Sequence, residues 1–422
     1  MKKLIAGILV TMMLFCTLGA AVAESNLSFS WWGGDSRHEA TQKAVEAFMA
    51  ANTDITVANE YSAWDGWEEK MGQRFASNSA PDVNQINWNW ITAFSANGSK
   101  FVDLNTLTDV LDLSQFEQTG LDACTVGGEL QGVPISMTGR IFYWNKTTFE
   151  KAGIAPPASY EELLAAGKTF QETLGDAYYP MALGTYDRMI LMVFYLESVY
   201  GKDWVVDSKL NYTKEEIVKG LEFISELEAN HVIPTMEKLL GDGASTLDKN
   251  PNWIDGRYAG IFEWDSAASK FADALTDDQE FVVGDYFKDF GEFQGGFAKV
   301  SMCFAISETS ADPVAAAKLI NFFLNEEEGI RLGKSERGIP LSKVGNQLCL
   351  DENLLNPTVA EANAKVINWV KFNLDPLFES NVLKAEEVGV YAEAMNSLSY
   401  QVVDAAGAAD MLIEGIESVL GQ

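Results

Sequence analysis

The segment from residue 27 to residue 86 constrains the fold most strongly, because strand-like and helix-like patterns alternate along it. Three short apolar or alternating runs have the pattern of β-strands, and two longer runs with charges on one face have the pattern of helices. In chain order these are the strand Leu27–Trp32, the helix Glu39–Met49, the strand Ile55–Tyr61, the helix Trp64–Ala76 and the strand Pro81–Ile86. A strand–helix–strand–helix–strand order places neighbouring strands parallel, with helices covering the sheet. The sequence therefore predicts an α/β fold with a mostly parallel sheet.

The rest of the chain continues this mixture without a visible linker. Strands are predicted at Ile141–Trp144, Tyr258–Phe262 and Lys299–Ile306, and helices at Tyr160–Leu174, Lys214–Asn230, Pro313–Leu324 and through most of Pro357–Leu420. The sequence has no Gly/Ser-rich tether, low-complexity tract or internal repeat. Any division into lobes should then involve several chain crossings instead of one.

The first 23 residues have the pattern of a secretory signal. Two lysines precede the uncharged run Leu4–Leu18, and Ala21-Val22-Ala23 places small residues where a signal peptidase cuts. The run is shorter than the roughly 20 residues that span a bilayer, so the pattern favours cleavage over a transmembrane anchor. Lipidation at Cys16 is a further alternative, although the bulky Phe15 stands where a lipoprotein signal has a small residue. We therefore expect an exported protein, either periplasmic or at the extracellular cell surface.

Charge and composition exclude several classes of function. The chain has 30 basic and 61 acidic side chains, a formal net charge of −31, and loses two further lysines with the leader, which gives −33. Such a surface repels nucleic acids and anionic lipids. Four cysteines and two histidines are too few and too scattered for a disulfide scaffold or a zinc site, and no cofactor or metal is predicted. The mature chain retains Cys124, Cys303 and Cys349, so at least one thiol is unpaired, and buried free thiols are the default expectation.

Signals for catalysis are weak. The segment Gly329–Ser335 resembles a phosphate-binding loop, but three residues separate its glycines where that motif has four. His38 and His231 are far apart in the sequence, which favours surface or capping roles. With 61 acids in the chain, pairs of carboxylates suitable for a glycosidase occur by chance and are uninformative. We therefore expect a protein that is not an enzyme.

Tryptophan is the most informative residue type in the composition, because several of the 11 tryptophans stand beside turns and polar neighbours. An indole face offers flat apolar area to a sugar ring, and adjacent Asn, Asp or Arg side chains bond its hydroxyl groups. The candidate ligand-binding residues with this pairing are Trp32, Asp35, Trp64, Trp67, Asn87, Trp88, Asn89, Trp90, Trp264 and Asp265. For any single Trp, half-buried packing is an equally good interpretation. Four clusters at predicted strand ends favour a carbohydrate site.

Taken together, these segments resemble the extracellular solute-binding proteins of carbohydrate ABC transporters, a family related to the maltose-binding proteins. The matching segments are Trp31–Gly34, Ala80–Val83, Gly128–Pro134, Phe142–Lys146, Tyr160–Leu163, Gly256–Gly260, Gly295-Gly296, Ala315–Leu324 and Gly338–Pro340. The resemblance covers almost the whole mature chain. It implies a two-lobed, periplasmic-binding-protein-like fold of type II that closes on an oligosaccharide and presents it to a membrane permease. It also adds Tyr143, Gly295 and Gly296 to the candidate ligand-binding residues.

The same resemblance implies lobe boundaries. Residues 24–134 and 297–345 would form the N-terminal lobe, and residues 135–296 and 346–422 the C-terminal lobe. Crossings are expected at Gly132–Pro134, at Gln294–Gly296 and after Pro340. Pro134 keeps its neighbour extended, and Gly132 can absorb a dihedral change, as a hinge requires. The protein is expected to act as a monomer.

The opening Trp31–His38, together with Asn87–Trp90, looks most like the branch associated with pectic oligosaccharides, whose sugars carry carboxylates. A strongly acidic protein needs local cations to hold such a ligand. The candidate cations are Arg37, His38, Arg140 and Arg188. Solvated surface positions are the alternative for each arginine. A neutral plant oligosaccharide as ligand, a secreted polysaccharide lyase or hydrolase, and a surface adhesin are the competing hypotheses.

Overall fold

The computed structural model describes residues 25–243, 246–385 and 387–421, so the predicted leader and Cys16 lie outside the described residues. The strands are β1 Ser25–Trp32, β2 Ile55–Ser62, β3 Val83–Asn87, β4 Thr125–Val126, β5 Glu129–Leu130, β6 Val133–Pro134, β7 Met137–Asn145, β8 Val205–Val206, β9 Lys209–Leu210, β10 Gly260–Trp264, β11 Phe281–Val283, β12 Phe297–Val300, β13 Met302–Ile306 and β14 Phe372–Asn373. The helices are α1 Asp35–Ala51, α2 Trp67–Ala76, α3 Trp90–Ser95, α4 Gln118–Asp122, α5 Lys146–Lys151, α6 Tyr160–Leu174, α7 Thr185–Tyr200, α8 Lys214–Ala229, α9 Met236–Gly241, α10 Pro251–Ile254, α11 Ala268–Asp273, α12 Pro313–Asn325, α13 Glu327–Gly333, α14 Lys343–Asp351, α15 Pro357–Trp369, α16 Asn381–Lys384, α17 Val390–Ser399 and α18 Ala405–Leu420. None of the helices in these three ranges is both long and apolar enough to cross a membrane.

The first sheet has the strand order β2-β1-β3-β13-β6. Strand β1 pairs in parallel with β2 and β3, as the alternating pattern predicts, while β13 runs antiparallel to β3 and β6. Phe29 and Trp31 of β1 are fully buried in the core of this sheet, which also contains the apolar face of α12. We call this unit the first lobe.

The second sheet has the order β10-β7-β12-β14, with β11 also pairing with β7. The expectation of a mostly parallel sheet is wrong here, because β10, β11 and β12 all run antiparallel to β7 and only β12 with β14 is parallel. Ile141 to Trp144 are buried on both faces of the sheet, so their apolar run indicates a buried strand and carries no information on direction. This sheet has its own hydrophobic core, which also takes in α7, α8 and the tail helices α15, α17 and α18. We call this unit the second lobe.

Within residues 25–243, 246–385 and 387–421, the chain passes between the two sheets three times. It passes first from β6 to β7, next to the predicted crossing at Gly132–Pro134, and then at Ser301, which separates β12 from β13. The predicted crossing at Gln294–Gly296 thus precedes the observed passage by a few residues. The third passage lies between α14, which packs on α13 of the first lobe, and α15, which packs on β7. The complete lobe boundaries stay a prediction.

Candidate functional site

Tryptophans of the first lobe gather at the carboxyl ends of its parallel strands. Trp32 ends β1, Trp64 precedes α2 and Trp90 begins α3, with ring centroids 5.1 Å apart for Trp32–Trp64 and 5.6 Å for Trp32–Trp90. Trp88 follows β3, and its indole N–H donates to the Ala123 carbonyl at 2.9 Å. Because parallel strands end at the same edge, residues far apart in sequence meet there, where α/β sheets commonly bind ligands.

The second lobe contributes a tryptophan with two cations stacked on it. Trp264 ends β10 directly opposite Arg140 of β7 in the strand register. The Arg140 guanidinium lies 5.0 Å from the Trp264 ring centroid, and the Lys299 ammonium of β12 lies 4.7 Å from it. Lys299 is also 6.0 Å from the Trp88 ring of the first lobe. One lysine therefore faces tryptophans of both lobes.

Three polar contacts join the lobes around these rings. Lys299 donates to the Asn87 side-chain oxygen at 3.3 Å, and the Asn89 amide donates to the Glu379 carbonyl at 2.7 Å. Lys384 of α16 forms an ion pair with Glu68 of α2 at 2.9 Å. The Lys384 ammonium lies 5.2 Å from the Trp64 ring centroid, and Trp90 donates to Glu68 at 3.0 Å. The residues that meet here, named the interlobe cluster, are Trp32, Trp64, Glu68, Asn87, Trp88, Asn89, Trp90, Arg140, Trp264, Lys299, Glu379 and Lys384.

Lys299 and Glu379 form a buried ion pair at the centre of the interlobe cluster. Their side chains are only 4% and 3% exposed, and Tyr186 donates to the other Glu379 oxygen at 2.9 Å. Burial lowers the pKa of Lys299, against the attraction of Glu379. Burial raises the pKa of Glu379, but Lys299 and Lys384 outweigh it, so this pKa lies below its usual value. Direct contact between the ammonium and the carboxylate, with little access to solvent, makes this a buried ion pair.

Arg140 is held by two carboxylates and keeps one donor free. It pairs with Asp187 and, at 3.5 Å, with Glu263. Burial lowers the pKa of Arg140, but Glu263 and Asp187 outweigh it and raise the pKa overall. Within the described ranges the buried Arg140 Nε and the buried Asn89 Oδ1 have no hydrogen-bond partner. Both atoms are suited to a polar ligand.

Two more buried arginines lie behind Trp32. Arg37 donates to the Trp32 carbonyl at 3.2 Å and to the Glu336 carbonyl, while Arg337 donates to the side chains of Gln85 and Thr41. Among the residues described, no carboxylate lies within ion-pair distance of either guanidinium. Burial lowers the pKa of Arg37 to about 10, against the attraction of Glu336, so it stays charged at neutral pH. The first lobe thus carries two buried guanidinium groups behind its tryptophans that make no direct ion pair in the described part of the chain, although Glu336 attracts both.

Several predicted site residues are core or structural residues instead. Tyr143 is fully buried and stacks on Phe281 at 5.0 Å, and Trp67 is 1% exposed in the first core. Arg188 is fully buried, bonded to Glu228 and to the Leu183 and Pro234 carbonyls. Trp67 begins α2, Tyr143 lies within β7 and Arg188 lies within α7. Residue type alone does not distinguish such buried positions from a ligand-binding surface, so the burial of these three residues was not foreseeable.

The remaining predicted residues lie outside the cluster. His38 accepts from the Trp31 indole at 3.1 Å, and Asp35 is exposed in the first turn of α1. Asp265 is buried and accepts from Thr138 and from Asn363, at 2.6 Å for Asn363. Gly296 donates its N–H to Glu197 at 2.8 Å, and Gly295 lies against the same helix, α7. These residues shape or support the lobes and do not reach the cluster.

Sequence reasoning missed four residues that form contacts between the lobes, Glu68, Lys299, Glu379 and Lys384. It also missed Tyr186, which bonds to Glu379, and Arg337, which lies behind Trp32. Lys299 had a signal, because it is the one charged side chain in the apolar segment from Phe297 to Ile306. A lysine within a buried strand is expected to have a partner or a function. Glu379 and Lys384 stand in an ordinary polar tail, where no sequence pattern distinguishes them from neighbouring charged residues.

The sequence profile of the bacterial extracellular solute-binding protein family matches residues 43–343. Two curated relatives match over shorter stretches. A binding protein of Brucella abortus is 29% identical over 165 residues, which span 36% of this chain and 40% of that relative. The melibiose/raffinose/stachyose-binding protein MelE of Bacillus subtilis is 22% identical over 226 residues, 53% of this chain and 51% of MelE. The chain thus matches only about half or less of the length of these curated relatives.

Solved structures match over nearly the whole length. A periplasmic oligogalacturonide-binding protein of Yersinia enterocolitica, in complex with saturated digalacturonic acid, is 34% identical, with a TM-score of 0.89 over 94% of this chain and 99% of that one. Another structure of an oligogalacturonide-binding protein from the same organism, also 34% identical over 94% of this chain and 99% of that one, has a TM-score of 0.71. With the profile match over most of the sequence, these results establish that the chain belongs to the bacterial extracellular solute-binding protein family.

Proposed function

We propose that this protein is the receptor of a carbohydrate ABC importer and that it binds a short uronate-containing oligosaccharide between its lobes. The observation that carries the proposal is the interlobe cluster, in which indole faces from both lobes meet three cations. Indole faces suit the apolar face of a sugar ring, and cations suit its carboxylate. The similarity to the oligogalacturonide-binding protein of Yersinia enterocolitica supports the same ligand class.

The charges of the cluster are compatible with an acidic sugar. Each cation has a carboxylate partner: Arg140 has Asp187 and Glu263, Lys299 has Glu379, and Lys384 has Glu68. The free Arg140 Nε and the ammonium protons of Lys384 beyond its single ion pair can still bind a ligand oxygen. Arg37 and Arg337 add positive charge behind Trp32, in a buried environment where charge is weakly screened.

Ligand entry requires the lobes to separate. Trp88, Arg140 and Lys299 are 8%, 5% and 6% exposed, so a sugar cannot reach them from solvent in this arrangement. The TM-score of 0.89 to the Yersinia structure that holds saturated digalacturonic acid supports the interpretation that this conformation is the closed one. Opening would break the Glu68–Lys384, Asn87–Lys299 and Asn89–Glu379 contacts together.

Calorimetric titration with di- and trigalacturonate, beside neutral xylo-, manno- and malto-oligosaccharides, tests the ligand class. We expect a dissociation constant on the order of micromolar for the uronates, about 8 kcal/mol of binding free energy. Tight neutral binding without a uronate response would replace the acidic ligand with a neutral one. The resemblance to MelE and the carboxylate beside every cation are the observations that favour this second candidate.

The receptor proposal also excludes turnover. Prolonged incubation of the pure protein with oligogalacturonide should give neither new reducing ends nor unsaturated products, because the sugar is held and released unchanged. Product formation would favour a lyase or hydrolase. Equal affinity for long polymer and short oligomers would favour an adhesin, because a closing cleft limits ligand length.

A further inference from the structure

Two cysteines from distant parts of the chain touch inside the first lobe. The sulfurs of Cys124 and Cys303 are 3.3 Å apart, although 179 residues separate them in sequence. Both side chains are fully buried. Cys303 lies on β13 opposite Ile86 of β3 and Pro134 of β6, and Cys124 follows α4. The fold itself therefore brings these thiols together.

We propose that Cys124 and Cys303 form a disulfide in the exported protein. Members of an extracellular family reach an oxidising environment, in which adjacent cysteines are commonly joined. This inference depends on export alone and is independent of which sugar binds. It resolves the odd cysteine count as one bridge plus Cys349, which lies on α14.

The reaction needs an external oxidant, and a protein or small-molecule disulfide supplies it. One cysteine thiolate attacks a sulfur of that disulfide, breaks its S–S bond and forms a mixed disulfide. The second cysteine then displaces the oxidant's remaining sulfur, so the oxidant leaves as two thiols that carry two electrons and two protons. In the folded state burial and the Cys124 contact raise the pKa of Cys303 well above its usual value, which suppresses the thiolate. We therefore expect thiol–disulfide exchange to take place during folding, before β13 packs over Cys124.

The bridge would fix the hinge side of the first lobe next to the interlobe cluster. Cys303 comes two residues after the passage at Ser301, and the Cys124 carbonyl accepts the Gln131 N–H at 3.0 Å. Ala123, the residue before Cys124, accepts the hydrogen bond of Trp88. A covalent link would hold both segments in register while the lobes open and close.

Peptide mapping of the exported protein tests the proposal without any substitution. The denatured protein is alkylated, digested without reductant and analysed by mass spectrometry. We expect one linked peptide containing Cys124 and Cys303, two hydrogens lighter than the sum of its parts, and an alkylated Cys349 as internal control. Alkylated Cys124 and Cys303 in the exported protein would overturn the proposal.

Thermal unfolding with and without reductant gives a second test. Reduction should lower the melting temperature by about 5 to 10 °C, because the bridge closes a long loop. Cys349→Ser should show the same shift, and Cys124→Ala should show none. If the melting temperature of the wild-type protein is the same with and without reductant, a stabilising disulfide is contradicted.

Discussion

At the scale of single residues, Lys299 shows how a charge can serve two lobes at once. It contacts Glu379 and Trp264 on the second lobe and Asn87 and Trp88 on the first. Removing either member of the Lys299–Glu379 pair alone would leave an unpaired buried charge, which is strongly destabilising. A test of its role in binding therefore needs both partners changed.

The double variant Lys299→Met/Glu379→Gln should remain folded but bind digalacturonate about 10- to 100-fold more weakly, because one charged hydrogen bond to the ligand is lost. Titration calorimetry measures the change, and circular dichroism checks the fold. Lys168→Met, on the exposed face of α6, is the matched control and should bind as wild type. Unchanged uronate affinity in the double variant would show that Lys299 does not contact the ligand.

Trp264 supplies the stacking face shared by Arg140 and Lys299. Trp264→Ala should weaken oligosaccharide binding by about 1 to 3 kcal/mol, the usual range for an aromatic anchor. The same titration measures it, with Tyr400→Ala as control, since Tyr400 is 45% exposed outside the interlobe cluster. An identical dissociation constant would remove Trp264 from the binding site.

Asp265 gives a pH dependence of stability. Burial raises its pKa from 3.8 to about 6, against hydrogen bonds from Thr138 and Asn363 that lower it. Because the folded pKa is the higher one, its stabilising contribution is complete below about pH 4 and is lost as pH rises through about 6. The free energy of unfolding of Asp265→Asn relative to wild type should therefore rise by up to about 3 kcal/mol between about pH 4 and 7.

Denaturant titrations at several pH values measure this difference, with the exposed Asp109→Asn as control. Parallel pH profiles of Asp265→Asn and wild type would contradict the assignment.

At the scale of elements, local sequence signals predicted the bounds of helices well but did not predict the direction of strands in a sheet. Helix α6 begins and ends as predicted, because Ser159 caps its first turn and Gly175 adopts a positive φ after its end. Helix α8 begins at the predicted residue through the capping box of Thr213 and Glu216. The direction of β10 against β7 depends on a connection of more than 110 residues, which no local pattern encodes. The direction of the second sheet was therefore mispredicted, and its strands were found only in part. β11 and β14 were not predicted, and the strand predicted at Lys299–Ile306 is divided at Ser301 between the two sheets.

The contact of α2 with α16 predicts a kinetic effect. Glu68 and Lys384 are 8% and 9% exposed, so their ion pair is largely shielded from solvent. Glu68→Gln or Lys384→Met should raise the ligand dissociation rate about 10-fold, because the closed arrangement loses a buried cross-lobe charge pair. Stopped-flow tryptophan fluorescence measures the rate.

The double variant of this pair completes a thermodynamic cycle. We expect the two single effects to be non-additive, as for groups in direct contact. Lys146→Met, which breaks the Lys146–Glu280 pair within the second lobe, is the control and should leave dissociation unchanged. Strict additivity would show that the pair does not act across the lobes.

At the scale of the whole molecule, the fold and family could be predicted from the order of many short segments. Each segment alone is a weak signal, but their order along the chain is specific. The site could be predicted only in part. Trp32, Trp64, Trp88 and Trp90 were identified from their polar neighbours. The structure stacks Trp32, Trp64 and Trp90 together and places Trp88 beside Lys299. Their partners Glu379 and Lys384 come from a tail that folds back onto the second lobe, and that proximity exists only in three dimensions.

Net charge sets a further expectation at this scale. With 61 acidic and 30 basic side chains, the protein repels an acidic sugar at distances beyond its local cations. The association rate of trigalacturonate should therefore rise several-fold as salt shortens the Debye length from about 30 Å to about 8 Å. Stopped-flow fluorescence at matched pH measures it, and a neutral oligosaccharide ligand is the control. A falling rate would show that the local cations dominate at long range.

The tail that supplies Glu379 and Lys384 has a consequence for the timing of maturation. A chain is synthesised and folds from its N-terminus, so the first lobe and most of the second are present before these residues emerge. Under the proposed function, binding then requires an almost complete polypeptide. A product that ends before residue 379 would carry the tryptophans but lack the Asn89–Glu379 and Glu68–Lys384 contacts, and would hold an oligosaccharide less tightly.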